Sequence, residues 1–282
     1  MDFAELQRVL QGRLPDLAAG QRRVAQLVLS DPEGCAFRTI GETARLAEVH
    51  ESSLVRFAHG LGLSGWPALT ALCRERLKEK AQLVGRLEAA GAADDLLGSI
   101  AEQDQANIAR TLATIDPEHW EQAVTWLAEA PRVHVIGLRK CFSPAYLLGY
   151  LLRLVRRDVR QLGTTPGGLA EELRDLEPGD VLVGISIHRY HRDTAAAVEF
   201  AARRGLHVIA LTDNASSPLA RHAGACFYAE SGGVTILRSM AGFVSLVQAL
   251  VTATAVRLGA RGRTALRDEE ELLLSLDIYV EP

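Results

Sequence analysis

Three apolar runs in the second half of the chain, each giving way to a polar loop and then a helical stretch, constrain the fold more than any other feature. They are RVHVIGL (132–138), DVLVGIS (180–186) and HVIALT (207–212), all short and rich in β-branched residues. Runs apolar on both sides belong to strands covered on both sides, as in parallel sheets with helices on each face. Helical patterns over 144–156 and 193–204 supply such covers, and strand-like pieces at 159–162 and 226–230 extend the series. An α/β domain follows, flavodoxin-like or Rossmann-like. Ligands of such sheets bind beyond the carboxyl ends of the strands. Here those ends carry residues 137–143, 186–194 and 212–217.

The first of these loops, GLRKCFS, leaves its strand through Gly137 and enters a helix with Ser143 at the cap and Pro144 in the first turn. Backbone N–H groups there favour an anion, and Arg139 and Lys140 add two charges, which equally suit solvated loop cations. The second loop concentrates Ser186, His188, Arg189, Tyr190, His191, Arg192 and Thr194 before the next helix. Ser186 and Thr194 are candidate donors to an oxyanion, and Arg189 and Arg192 candidate clamps for it. His188 and His191 also suggest metal ligands or a general base, but no third ligand stands at diagnostic spacing, so no metal site and no cofactor are expected. The third loop, DNASSP, carries ordinary turn chemistry.

The first 80 residues read as helices throughout. Within 39–69, Ile40, Thr43, Ala44 and Ala47 share one helical face, Val49 sits in a turn, and Leu54, Phe57, Ala58 and Leu61 line the next helix. Thr39 and Glu42 write a capping box that starts the first of these helices. Two short helices on a tight turn suit either a helical bundle or a DNA-reading helix-turn-helix. In the second reading Thr39, His50, Glu51, Ser52, Ser53, Arg56 and His59 face the double-stranded operator. Seven basic residues against five acidic ones between Arg38 and Lys80 give a net of +2, too mild to predict DNA binding by itself.

At 282 residues the chain fits two domains, expected as a DNA-binding domain over 1–80, a helical linker over 81–105 and a ligand-binding and dimerisation domain over 106–282. A formal charge of −4 argues against a basic nucleic-acid coat protein. Four cysteines without CxxC spacing suggest reduced thiols. With no uninterrupted apolar span of membrane length, a cytoplasmic protein without membrane contact is expected. A largely apolar helix is expected over 237–258, too apolar to lie exposed and suited to a core or a dimer interface.

The stretch VHESSLVRFAHGLGLSGWPAL, preceded by LSDPEG and followed by VIGLRK, DVLVGIS and VIALTDNASSPLARHA, resembles the RpiR/HexR/MurR transcriptional regulators over roughly residues 5–260. The resemblance implies an N-terminal helix-turn-helix domain, a C-terminal SIS (sugar isomerase) domain, and a homodimer or homotetramer that senses a phosphorylated sugar or related anionic metabolite. Two departures stand out. Glu48 replaces the glycine that many relatives carry in the helix-turn-helix turn. The family's Ser-x-Ser-Gly-x-Thr loop survives only at Ser186, with the helix start expected later, at Thr194. The implied function is a ligand-responsive, non-catalytic regulator, with a sugar-phosphate isomerase and a binding-only scaffold as the alternatives.

Overall fold

The computed structural model describes residues 3–80, 83–164 and 167–280, in two compact units. One comprises Met1–Asp94 with Thr235–Leu237, the other Asp95–Val234 with Arg238–Pro282.

The first unit is all helical: α1 (Phe3–Arg13), α2 (Ala19–Ser30), α3 (Pro32–Phe37), α4 (Ile40–Leu46), α5 (Glu51–Gly60), α6 (Trp66–Lys80) and α7 (Leu83–Gly91). The sequence reads residues 31–34 as a break, yet they start α3. Asp31 accepts from Gly34 N at 2.8 Å and Pro32 takes the first turn, where its missing N–H is harmless. Leu6, Leu10, Val24, Val28, Leu54, Phe57 and Leu69 form the buried core, and the stripes expected on α4 and α5 face it.

Hydrogen bonds fix both ends of α4. Thr39 N–H donates to Glu42 Oε2 at 2.8 Å and Glu42 N–H to Thr39 Oγ1 at 3.2 Å, completing the expected capping box. Arg23 on α2 donates to Ala47 O at 2.9 Å and Glu48 O at 2.8 Å, satisfying carbonyls that the end of α4 leaves open. Glu48 takes φ +50°, the left-handed conformation in which a Cβ costs about 1–2 kcal/mol. Glu48→Gly is therefore expected to stabilise this unit by about 0.5–1 kcal/mol after allowing for the flexible unfolded glycine, read as a raised urea midpoint.

The second unit is a five-stranded parallel sheet in the order β2-β1-β3-β4-β5. The strands are β1 (Val133–Gly137), β2 (Val159–Gln161), β3 (Val181–Ile185), β4 (His207–Thr212) and β5 (Ala225–Tyr228). Its helices are α8 (Leu96–Ala113), α9 (Pro117–Glu129), α10 (Phe142–Val155), α11 (Leu169–Arg174), α12 (Arg192–Arg203), α13 (Ala241–Leu258) and α14 (Ala260–Ser275). Leu148 and Leu152 of α10 and Phe243, Leu246 and Leu250 of α13 cover one sheet face. Ala197, Val198 and Ala201 of α12 cover the other, with Leu176 and Leu219. The interior strands are buried at every position but His207, which explains their uninterrupted apolar runs.

Three helix starts differ from the sequence reading. The long apolar helix begins at Ala241 rather than 237, its N-cap being Met240. It is long and apolar enough to cross a membrane, with a mean hydropathy of 1.5, but Phe243, Leu246, Val247 and Leu250 are packed in the core. The helix after β1 begins at Phe142, so Ser143 lies inside it, and its hydroxyl donates to Lys140 O at 3.1 Å instead of capping. The helix after β3 begins at Arg192, with His191 and not Thr194 at the boundary.

Two packing details hold the sheet ends. A Cβ on Gly137 would meet Cys141 O at 2.5 Å and Ala145 Cβ at 2.7 Å, so only glycine lets β1 turn straight into α10. At the opposite end, buried Asp180 accepts from His134 Nε2 at 3.1 Å, Arg132 Nε at 3.2 Å and Glu177 N at 3.1 Å. Burial holds the His134 imidazole below its usual pKa, with the Asp180 hydrogen bond opposing that shift.

Candidate functional site

The candidate DNA surface lies on α5. Leu54, Phe57 and Ala58 point into the core, so positions 52, 56 and 59, at i, i+4 and i+7 spacing, share the outward face. Ser52, Arg56 and His59 are exposed there, and Arg56 Nη2 donates to Ser53 Oγ at 3.2 Å. His50 precedes the helix as its N-cap without a side-chain cap bond. The other expected contacts have local duties. Thr39 is spent on the capping box, His59 Nε2 lies 3.3 Å from Ser64 O, and the Glu51 carboxylate packs beside Gly41.

Many cations of this unit serve its own backbone. Arg13 donates to Gly60 O, Arg22 to Pro15 O and Leu17 O, and Arg74 to Ala36 O, while Arg38 pairs with Asp31. Arg45, on the exposed surface of α4 just before the turn, was not singled out by sequence reasoning.

The second candidate site sits where strand order 2-1-3-4-5 reverses direction, between β1 and β3, the place where a crevice opens at the strand ends of such sheets. Three loops meet there. From the first, Lys140 Nζ donates to His188 O at 3.4 Å, and the Ile187 N–H is directed at the Cys141 sulfur, whose thiol pKa burial raises. From the second, the His191 N–H donates to Ser186 Oγ at 3.2 Å and the Asp193 N–H to His191 Nδ1 at 3.3 Å. From the third, Asp213 reaches across: Oδ2 accepts from His188 N at 3.0 Å and Oδ1 from the Tyr190 hydroxyl at 2.8 Å. Asn214 Nδ2 donates to the Tyr190 oxygen at 3.0 Å.

Burial and the neighbouring Asp213 carboxylate push the Tyr190 phenol well above its ordinary pKa, so it stays a neutral donor. Beneath the loop, Thr212 donates to Ser186 O at 2.8 Å and shares a 2.7 Å bond with Ser217. Thr194 is buried and its Oγ1 has no protein partner. Arg139, with φ +55°, Arg189 and Arg192 lie on the exposed rim. Thus Lys140, Ser186, His188, Tyr190 and His191 come together, Ser143 turns to its own helix, and Asp213 is the member the sequence reading left as turn chemistry. Among the described residues no three His, Cys, Asp or Glu gather as metal ligands.

With α12 starting at Arg192, residues 186–191 occupy the six places of the Ser-x-Ser-Gly-x-Thr pattern one for one. His188 stands at the second serine, Arg189 at the glycine and His191 at the threonine.

An all-helical unit with two short helices on a tight turn, joined to a doubly wound parallel sheet, is the architecture of a helix-turn-helix regulator with an α/β domain. Residues 4–80 match the rpiR-family helix-turn-helix domain and residues 126–256 the SIS domain. The sugar isomerase domain of an RpiR transcription factor from Sphaerobacter thermophilus is 34% identical, with a TM-score of 0.59, covering 62% of this chain and 98% of that one. The regulator HexR of Pseudomonas aeruginosa is 28% identical over 77% of this chain and 76% of its own, and HexR of Escherichia coli 24% identical over 94% and 92%. The NanR protein of Vibrio vulnificus, solved in complex with ManNAc-6P, shares the fold at 19% identity and a TM-score of 0.61, covering 96% of this chain and 98% of that one. The chain belongs to the RpiR family of helix-turn-helix transcriptional regulators with a SIS domain.

Proposed function

We propose that this chain is a cytoplasmic transcriptional regulator whose affinity for a paired operator is set by an anionic metabolite held at the β1/β3 loops. The observation that carries this reading is one chain combining a recognition-helix face at Ser52, Ser53 and Arg56 with cations converging on a switch-point crevice from residues 139–140 and 189–192. A ligand that favours one arrangement of the two heads shifts DNA affinity by its differential affinity for that arrangement.

Self-association is supported by the end of the chain. Leu272, Leu274, Leu276, Ile278, Tyr279 and Val280 are each more than half exposed, an apolar surface of a kind monomers rarely leave to water. A homodimer that covers it also pairs the DNA-reading heads, as two half-sites on an operator require. Leu274→Glu combined with Leu276→Glu is expected to weaken self-association at least tenfold in analytical ultracentrifugation. An unchanged oligomer would place the interface elsewhere.

The test of the whole reading is a mobility shift at physiological salt on the DNA flanking the protein's own gene, with and without a panel of sugar acids and sugar phosphates. Sequence-dependent binding that one of these compounds alters is the expected result. No sequence preference, or a preference that none of them changes, would overturn it.

A further inference from the structure

Strand-to-helix loops usually receive phosphate through backbone N–H groups, which form a concave nest for a tetrahedral dianion. Here three N–H groups of that loop are already taken by the protein itself. The His188 N–H is taken by Asp213 Oδ2, the His191 N–H by Ser186 Oγ, and the Asp193 N–H by His191 Nδ1. One of these acceptors is a carboxylate, locked by the Tyr190 hydroxyl on its other oxygen. The place that welcomes an anion in an open loop therefore already holds one.

The replacement of glycine by Arg189 acts in the same direction. A backbone nest needs a residue without Cβ at the closest approach, and an arginine there offers a long guanidinium at the rim instead. Arg189 and Arg192 are both exposed there. A planar guanidinium meets a planar carboxylate edge to edge through two parallel hydrogen bonds, and a single negative charge is repelled less by Asp213 than a phosphate dianion is.

We infer that this crevice takes a carboxylate, such as a sugar acid, gripped by arginine side chains at the rim, and that Asp213 is the residue that excludes phosphate esters. The inference rests on the proposed ligand-switch reading and narrows the chemistry of its ligand.

Matched probes test it: gluconate and glucuronate against glucose 6-phosphate and inorganic phosphate, by calorimetry and thermal shift on the full-length protein. The wild type is expected to bind at least one sugar acid at least tenfold more tightly than either phosphate. Asp213→Asn keeps an acceptor for His188 but removes the charge, and is expected to gain affinity for glucose 6-phosphate at least tenfold. Arg189→Ala is expected to lose the sugar acid.

Glucose 6-phosphate binding to the wild type as tightly as the acids, with no gain in Asp213→Asn, would overturn the carboxylate assignment while leaving the ligand switch standing. Failure of all four probes to bind, together with operator affinity that none of them changes, would overturn both. If Asp213→Asn does not fold, the wild-type ranking and the Arg189→Ala loss decide the matter alone.

Discussion

Replacing Asp180 with alanine is expected to lower the unfolding free energy of the second unit by about 3–5 kcal/mol, because it strands a guanidinium, a buried imidazole and a backbone N–H at one site. The carboxylate serves His134, Arg132 and Glu177 N together, and its own side chain is almost wholly buried. For a unit of this size that corresponds to roughly 6–20 °C in melting temperature by calorimetry. The pH dependence should change as well. In the folded state His134 has a lowered pKa, so the unfolded chain binds the proton more readily. Its contribution is complete above the unfolded value, near 6.5, and is lost as pH falls from there through the folded value. His134→Asn should flatten the stability slope over that window. A slope unchanged in His134→Asn would assign it to other groups.

Arg56→Ala is expected to weaken operator binding about 10- to 100-fold, the effect of removing one good base-reading arginine. The guanidinium lies on the outward face of α5 and rests on Ser53, which pre-orients it before DNA arrives. Random-sequence DNA should lose much less, because neutral contacts and remaining cations hold the phosphates equally on any sequence. Equal losses on both DNAs would make Arg56 a phosphate contact. No loss on either would move the reading surface off this face of α5.

Much of this architecture is legible in the sequence because its signals are local. The capping box at Thr39 and Glu42 closes within three residues, and the apolar faces of α4 and α5 follow helical spacing alone. The parallel sheet shows itself because buried strands tolerate almost no polar residue, as the runs at β1, β3 and β4 record. Helix starts were less legible. Cys141 makes no side-chain cap bond and His191 caps through its imidazole Nδ1, neither being a usual cap residue, so Ser143 and Thr194 draw the expectation to themselves.

What lies out of reach of the sequence is what joins distant residues. Arg23 and Glu48 are 25 positions apart, and nothing in either segment announces that one holds the other's carbonyl. Asp213 reads as turn chemistry until the sheet brings its strand end beside that of β3, where it closes the loop through His188 and Tyr190. Local periodicity and turn chemistry thus determined the helical and α/β character of the two parts and the strand-end loops proposed to meet a ligand, because those depend on short-range geometry and burial. The tertiary structure alone decided which arginines serve the fold, and that Asp213, Ser186 and His191 take up three N–H groups of the loop after β3. Those outcomes depend on strand register and helix packing, which bring charges together across long stretches of chain.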